Sequence, residues 1–154
     1  MESRIDYQSV APGAAEAMMG LEEYVADADL ELGLVHLVKV RVSQMNCCAF
    51  CIDMHTKEAR ANGEIEQRLY ALDAWRETPF YSDRERAALA WAEAVTNVGE
   101  SRVPDTVYET AREHFEEGDL VALNVAVVAI NGWNRFAVPF RTEPGTYEPQ
   151  EASP

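Results

Sequence analysis

The chain is poor in positive charge. Its 154 residues include 13 lysines and arginines against 27 aspartates and glutamates, which gives a formal net charge of −14. Such a surface repels phosphate backbones and anionic lipid headgroups. We therefore expect no nucleic-acid partner and no membrane partner.

Long apolar runs are also missing. The longest mostly apolar stretch, Leu120–Ile130, is too short to span a bilayer and contains Asn124. Residues 1–7 show no basic start followed by an apolar core, so we expect no secretion signal. Hydrophobic residues nevertheless make up 47% of the chain, which is enough for a buried core. These features predict a soluble, cytoplasmic, globular protein.

Cysteine is scarce, and its placement is more informative than its number. The three cysteines, Cys47, Cys48 and Cys51, all fall within one short segment. Such a cluster cannot cross-link distant parts of a secreted fold. In a reducing compartment it indicates catalysis or metal binding instead.

The apolar spacing is helical nearly throughout, and the sequence shows no convincing strand pair, repeat or interdomain linker. Helices are predicted over about 12–28, 30–44, 46–62, 65–75, 82–98, 104–117 and from 119 onward. Asn46, Ser82 and Asp119 are the predicted N-caps, and Ser82 forms a capping-box pattern with Glu85. The sequence predicts one all-α domain over 1–140, with about six or seven helices. Residues 141–154, rich in Pro, Glu, Thr, Gly and Ser, are predicted to form a flexible or partner-pinned tail.

The cysteine segment predicts a chemically active helix face. Cys48, Cys51 and His55 stand at i, i+3 and i+7, so their side chains can meet along one face. A helix N-terminus and a nearby histidine both favour the thiolate, and a sulfenic acid on one sulfur can condense with the other thiol. The helix dipole favours Cys48 as the nucleophile, whereas proximity to His55 favours Cys51. Composition and spacing leave that choice open.

Plainer interpretations compete with a redox site. Zinc could take Cys48, Cys51, His55 and His36 as ligands, although three ligands on two turns of one helix give poor tetrahedral geometry. Cys47 is expected to pack without a role, and a lone histidine such as His36, among apolar neighbours, is usually a satisfied core residue. His114, near a predicted helix end, is most simply a partner of the helix dipole.

Two segments, Arg41–Asn46 and Cys48–His55, resemble the alkyl hydroperoxidase D (AhpD)-like branch of the carboxymuconolactone decarboxylase superfamily. Weaker agreement at 74–80, 85–91 and 130–135 extends the resemblance over roughly 30–141. It implies an all-helical fold that assembles as homo-trimers or homo-hexamers. It also implies a thiol peroxidase that acts on hydroperoxides without metal, flavin or other cofactor, and that is restored by an external dithiol. By this resemblance Cys51 attacks the peroxide, Cys48 resolves the product, and His55 belongs to a proton relay.

The sequence departs from the family pattern at two positions. His36 stands where the relay usually has a glutamate, so either His36 keeps a relay role with changed pH dependence or the peroxidase function is weakened. Cys47 stands where the family commonly has glycine. Two other functions therefore stay open: a cofactor-free lactone decarboxylase or isomerase with His36 and His55 as acid and base, and a redox-responsive or metal-binding assembly without turnover.

Overall fold

The computed structural model describes residues 2–149. Within this range the chain folds into α-helices and one 3₁₀ helix without any strand, which confirms the predicted all-α class. The α-helices are α1 Tyr7–Val10, α2 Pro12–Asp27, α3 Leu32–Met45, α4 Ala49–Ala61, α5 Glu66–Ala71, α6 Asp83–Thr96, α7 Val98–Ser101, α8 Asp105–His114 and α9 Glu117–Phe140. The 3₁₀ helix, Leu72–Glu77, follows α5 directly.

The predicted helix ends are partly confirmed. Ser82 caps α6, and its capping box with Glu85 is complete in both directions. The predicted cap at Asp119 is wrong, because α9 begins earlier, with Glu116 at the N-cap and Asp119 inside the first turn. An acidic first turn still suits the positive end of the helix dipole.

The predicted cap at Asn46 is also wrong, and the reason lies in the turn between α3 and α4. Asn46 ends α3, and Cys47 then adopts a left-handed backbone with φ of 53°, so α4 begins only after Cys48. The Asn46 amide instead donates to Asn131 and Asn134 on α9, at 2.9 and 2.8 Å. These bonds tie the turn that carries the cysteines to the centre of the domain.

Helices α3 and α9 form the centre of the core. Both contribute fully buried aliphatic side chains, and α9 packs against α2, α3, α4 and α6. With 24 residues and a mean hydropathy of 1.3, α9 is long and apolar enough to cross a membrane by composition alone. Here it serves as the core helix of a helical domain. Cys48 and Cys51 belong to the same buried cluster as the apolar side chains of α9.

The described part of the predicted tail lies along α4. The backbone N–H of Gly145 donates to Asp53 Oδ2 at 2.9 Å, and Lys57 Nζ donates to the carbonyl of Tyr147 at 2.8 Å. Asp53 and Lys57 also pair with each other on α4. Residues 150–154 of the predicted tail lie outside the described residues. The tail thus brings Tyr147 to the same helix as the cysteine pair.

Candidate active site

The cysteine pair occupies the first turn of α4. Cys48 is the N-cap and Cys51 lies three residues later, with their Cα atoms 5.4 Å apart and their sulfurs joined in a disulfide. Only 1% of Cys48 and 2% of Cys51 is exposed. The N–H of Cys51 donates to Cys48 Sγ at 3.3 Å. Because the first N–H groups of a helix lack backbone partners, they will stabilise a thiolate at Cys48 once the disulfide is reduced.

His55, one turn beyond Cys51, is held by a carboxylate that the sequence analysis missed. His55 is buried, and its Nδ1 lies 2.8 Å from Glu58 Oε2. Its Nε2 has no hydrogen-bond partner among the described residues. Since a carboxylate at Nδ1 fixes the hydrogen there, the neutral ring keeps a free lone pair on Nε2. This atom is therefore available to accept a proton.

Glu58 is the anionic member of the cluster. Burial opposes its ionisation, but hydrogen bonds from His55 and Tyr147 and the charges of His55 and His36 outweigh burial. Together they lower the pKa of Glu58 from 4.5 to about 2. The carboxylate therefore stays ionised at any physiological pH, and it can stabilise an imidazolium that forms beside it.

His36 approaches the same carboxylate from α3. Its Nδ1 lies 3.8 Å from Glu58 Oε2, and its Nε2 lies 3.2 Å from Asn62 Nδ2, which also donates to the carbonyl of Glu58. An amide nitrogen can only donate, so Nε2 accepts and the ring hydrogen lies on Nδ1, toward Glu58. Burial lowers the pKa of His36, an effect that Glu58 opposes and that the charges of His55 and Lys39 reinforce. His36 is accordingly neutral at pH 7, and its Nδ1 has no hydrogen-bond partner among the described residues.

Tyr147 completes the cluster from the tail. Its hydroxyl donates to Glu58 Oε1 at 2.7 Å. Burial, together with the hydrogen bond and charge of Glu58, raises the pKa of Tyr147 to about 12, so the hydroxyl remains a donor. Each Glu58 oxygen thus has its own donor, Tyr147 at Oε1 and His55 at Oε2.

A cavity of about 520 Å³ opens beside Cys51 and His55. Its polar lining includes Glu58 and Tyr147 as well as an ion pair between Lys39 and Glu22. Its less polar lining consists of Tyr7, Met19, Phe50, Met54, Trp133 and Ala137. Glu22 also accepts a hydrogen bond from the Trp133 indole, so the charges in this wall are compensated. The cavity therefore combines a polar region around His55 and Glu58 with a largely apolar wall.

The structure also shows what could hold a metal. One ligand atom from each of His36, His55 and Glu58 lies within 4.8 Å of the other two. Within residues 2–149 this cluster contains no cysteine, so the rival zinc set of two thiols and two histidines is not brought together. The Nδ1 of His55 already bonds Glu58, and Asn62 already bonds His36. A hydrogen bond thus joins His55 to Glu58, and His36 lies 3.8 Å from the same carboxylate oxygen.

Two minor predictions have different outcomes. His114 lies in the last turn of α8, as a dipole partner should. Cys47, expected to pack, is exposed instead, because its left-handed turn places it before α4 rather than on it. The glycine common at this position in the family is explained by the same turn, since glycine adopts a positive φ without strain.

Comparison with known proteins supports the family resemblance. Residues 12–94 match the model of the carboxymuconolactone decarboxylase family. The uncharacterized protein YdfG of Bacillus subtilis is 46% identical over 138 residues, which cover 90% of this chain and 94% of YdfG. A crystal structure from Agrobacterium tumefaciens, of a protein of unknown function described as a candidate AhpD antioxidant defence protein, is 45% identical. It superposes with a TM-score of 0.91 over 95% of this chain and 100% of its own.

More distant structures share the fold alone. The debrominase Bmp8 is 18% identical and reaches a TM-score of 0.79 over 90% of this chain and 74% of its own. A fold shared at this distance carries no chemistry with it. The family match and the two relatives above 40% identity decide the assignment. The chain belongs to the carboxymuconolactone decarboxylase family, in its AhpD-like branch.

Proposed function

We propose that this protein is a thiol-dependent peroxidase that reduces hydrogen peroxide or small organic hydroperoxides through a Cys48–Cys51 dithiol cycle. One observation carries the proposal: Cys51 and His55 line the same cavity, and His55 is oriented by Glu58 with its Nε2 free. A thiol beside a positioned base is the arrangement that generates an attacking thiolate.

The oxidative half-reaction follows from this arrangement. His55 Nε2 accepts the proton of the Cys51 thiol, and the thiolate attacks the terminal oxygen of the hydroperoxide. The O–O bond breaks, Cys51 becomes a sulfenic acid, and the leaving alkoxide takes the proton from His55 and departs as an alcohol. Cys48 then attacks Cys51 Sγ, and the sulfenic oxygen leaves as water. The product is the disulfide, which an external dithiol reduces.

Glu58 supplies the negative charge that the family pattern places at the position of His36. An ionised carboxylate 2.8 Å from His55 Nδ1 favours the imidazolium formed when Cys51 loses its proton. His36 is neutral, and its Nδ1 lies 3.8 Å from the same carboxylate, beyond hydrogen-bond distance, so Tyr147 and His55 remain the donors to Glu58. In this proposal the proton relay is retained, and its negative charge comes from Glu58 on α4 instead of from position 36 on α3.

The alternative of a decarboxylase or isomerase is less well supported by this geometry. That chemistry needs His36 and His55 to face the substrate together. Of the described residues that line the 520 Å³ cavity, His55 is one and His36 is not. A catalytic activity that survives alkylation of all three thiols would restore this alternative.

The test is a pair of serine variants compared by rapid kinetics and intact mass. We expect Cys51→Ser to lose turnover with cumene hydroperoxide. Cys48→Ser should undergo one oxidation and then stop as a sulfenic acid that dimedone traps at Cys51. Cys47→Ser is the matched control and should turn over normally. Full turnover in both Cys51→Ser and Cys48→Ser would overturn the proposal.

A further inference from the structure

A second cavity, of about 660 Å³, also borders the cysteine pair, through Cys48. It is lined by Cys47, Cys48, Ala49, Phe50, Ala137, Val138 and the turn 141–144. Of these two cavities, Cys48 lines this one and Cys51 lines the one that contains His55. Phe50 and Ala137 line both, so they form a common wall. The two cysteines of one disulfide therefore line two different cavities.

This division matters because disulfide exchange has a directional requirement. An incoming thiolate attacks one sulfur through a mixed-disulfide intermediate and expels the other, and access decides which sulfur is attacked. A thiolate in the second cavity reaches Cys48 on a side that Cys51 does not line. A molecule in the first cavity reaches Cys51 and His55 instead.

We propose that the two half-reactions use opposite cavities. The hydroperoxide meets Cys51 beside His55, and the reducing dithiol attacks Cys48 from the 660 Å³ space, which we name the reductant cavity. This inference rests on the proposed peroxidase function. It adds the entry route of the reductant, and it lets reduction of the disulfide proceed without the alcohol product first leaving the other cavity.

The reductive step balances as follows. The first thiolate of the reductant bonds to Cys48 Sγ, the Cys48–Cys51 bond breaks, and Cys51 leaves as a thiolate that takes a proton. The second thiolate of the reductant then attacks the reductant's own sulfur in the mixed disulfide, and Cys48 is released as a thiolate. The Cys51 N–H, which already donates to Cys48 Sγ, stabilises this leaving group. The reductant departs as a disulfide, having given two electrons; of the two protons lost by its thiols, one goes to Cys51 and the other to solvent.

The burial of Cys48 selects the class of reductant. Only 1% of Cys48 is exposed, so this residue is recessed from the protein surface. A slender small-molecule dithiol can enter such a space, whereas a cysteine on a flat protein surface cannot approach without displacing its walls. We therefore assign the reductant cavity to a small dithiol.

The experiment fills each cavity with a bulky side chain and measures both half-reactions separately. Val138→Trp obstructs the reductant cavity, and Val128→Trp is its matched control on the same helix. The two valines are 46% and 47% exposed, and Val128 belongs to neither cavity lining. Met19→Trp obstructs only the cavity that contains His55. All variants carry Cys47→Ser, so that the third thiol does not contribute.

Reduction is measured by stopped-flow with dithiothreitol on protein oxidised with diamide, and oxidation with cumene hydroperoxide on reduced protein. We expect Val138→Trp to slow reduction about tenfold or more and to leave oxidation unchanged, since access controls exchange rates. Met19→Trp should do the reverse, and Val128→Trp should change neither rate. Unchanged reduction in Val138→Trp, or equal slowing of both steps, would overturn the inference.

A mapping experiment provides a second readout. Oxidised protein treated with 2-mercaptoethanol, quenched in acid and alkylated should carry the mixed disulfide on Cys48 and the alkyl group on Cys51. The opposite pattern contradicts the inference. Because diamide forms the disulfide without peroxide, the reductive measurements stand even if peroxide fails to oxidise Cys51. Failure of the peroxidase proposal is thereby distinguishable from failure of the cavity assignment.

Discussion

Replacing Glu58 with glutamine tests the electrostatic core of the site. The substitution keeps the shape of the side chain and removes its charge. The drop in the pKa of Glu58 from 4.5 to about 2 corresponds to about 3 kcal/mol of folding stability, at about 1.4 kcal/mol per pH unit. Because a quarter of the side chain (25%) remains exposed, solvent screens part of this, and we expect about 2 kcal/mol.

The sign of the pH dependence follows from the lowered pKa. A carboxyl group whose pKa is lower in the folded than in the unfolded protein stabilises the fold above its unfolded value. For Glu58 this stabilisation is complete above pH 4.5 and is lost as the pH falls toward 2. Glu58→Gln lacks it. The free energies of unfolding of the two proteins should therefore converge as the pH falls from 4.5 toward 2.

The assay combines urea unfolding between pH 2.5 and 7 with peroxidase kinetics at pH 7. Without the carboxylate, the imidazolium of His55 loses its counter-charge, and we expect kcat/KM to fall by about 10²-fold, which is typical for removing a group that orients a catalytic histidine. Glu109→Gln, an exposed carboxylate on α8, is the control and should behave as the parent protein. Full activity in Glu58→Gln, or a stability gap that does not change with pH, would refute the reasoning.

Three further substitutions test neighbouring parts of the site. The double variant His36→Glu with Glu58→Gln moves the carboxylate back to α3. We expect its kcat/KM to be about tenfold higher than that of Glu58→Gln alone. An unchanged kcat/KM would mean that only α4 can supply the charge. Tyr147→Phe removes the donor to Glu58 Oε1 and should destabilise the protein by about 1–2 kcal/mol at pH 7, because a partly buried charged acceptor loses a partner. Urea unfolding at pH 7 and pH 3 should show the loss chiefly at pH 7. Cys47→Gly relieves the strain of the left-handed backbone at position 47 and should stabilise the protein by about 1 kcal/mol, with peroxidase activity kept. Cys47→Ala keeps the strain and should not stabilise the protein.

The cysteine face could be predicted because it depends on local geometry. Cys48, Cys51 and His55 are close together on any helix that begins near Cys48, whatever surrounds it. Glu58 extends the same face by one more turn, at i+3 from His55, so the pattern contained it. The sequence analysis missed Glu58 because it sought a carboxylate at the position of His36.

The start of α4 was harder to predict from local preferences. Asparagine is a strong N-cap, which favoured Asn46 over Cys48. The structure uses the Asn46 amide to bond Asn131 and Asn134, both more than 80 residues away along the chain. A long-range polar contact has thus displaced a local preference by two residues.

The sequence by itself determined the all-α class and the alignment of two thiols and an imidazole on one helix, because both follow from the periodicity of the chain. Only the tertiary structure decided which groups complete the site. His36 arrives from α3 and Tyr147 from the tail, and each meets Glu58 through packing between elements distant in sequence. The same packing separates the two cavities, since Phe50 of α4 and Ala137 of α9 form their common wall. No spacing along the chain encodes that partition, because its two sides come from helices that meet only in the folded domain.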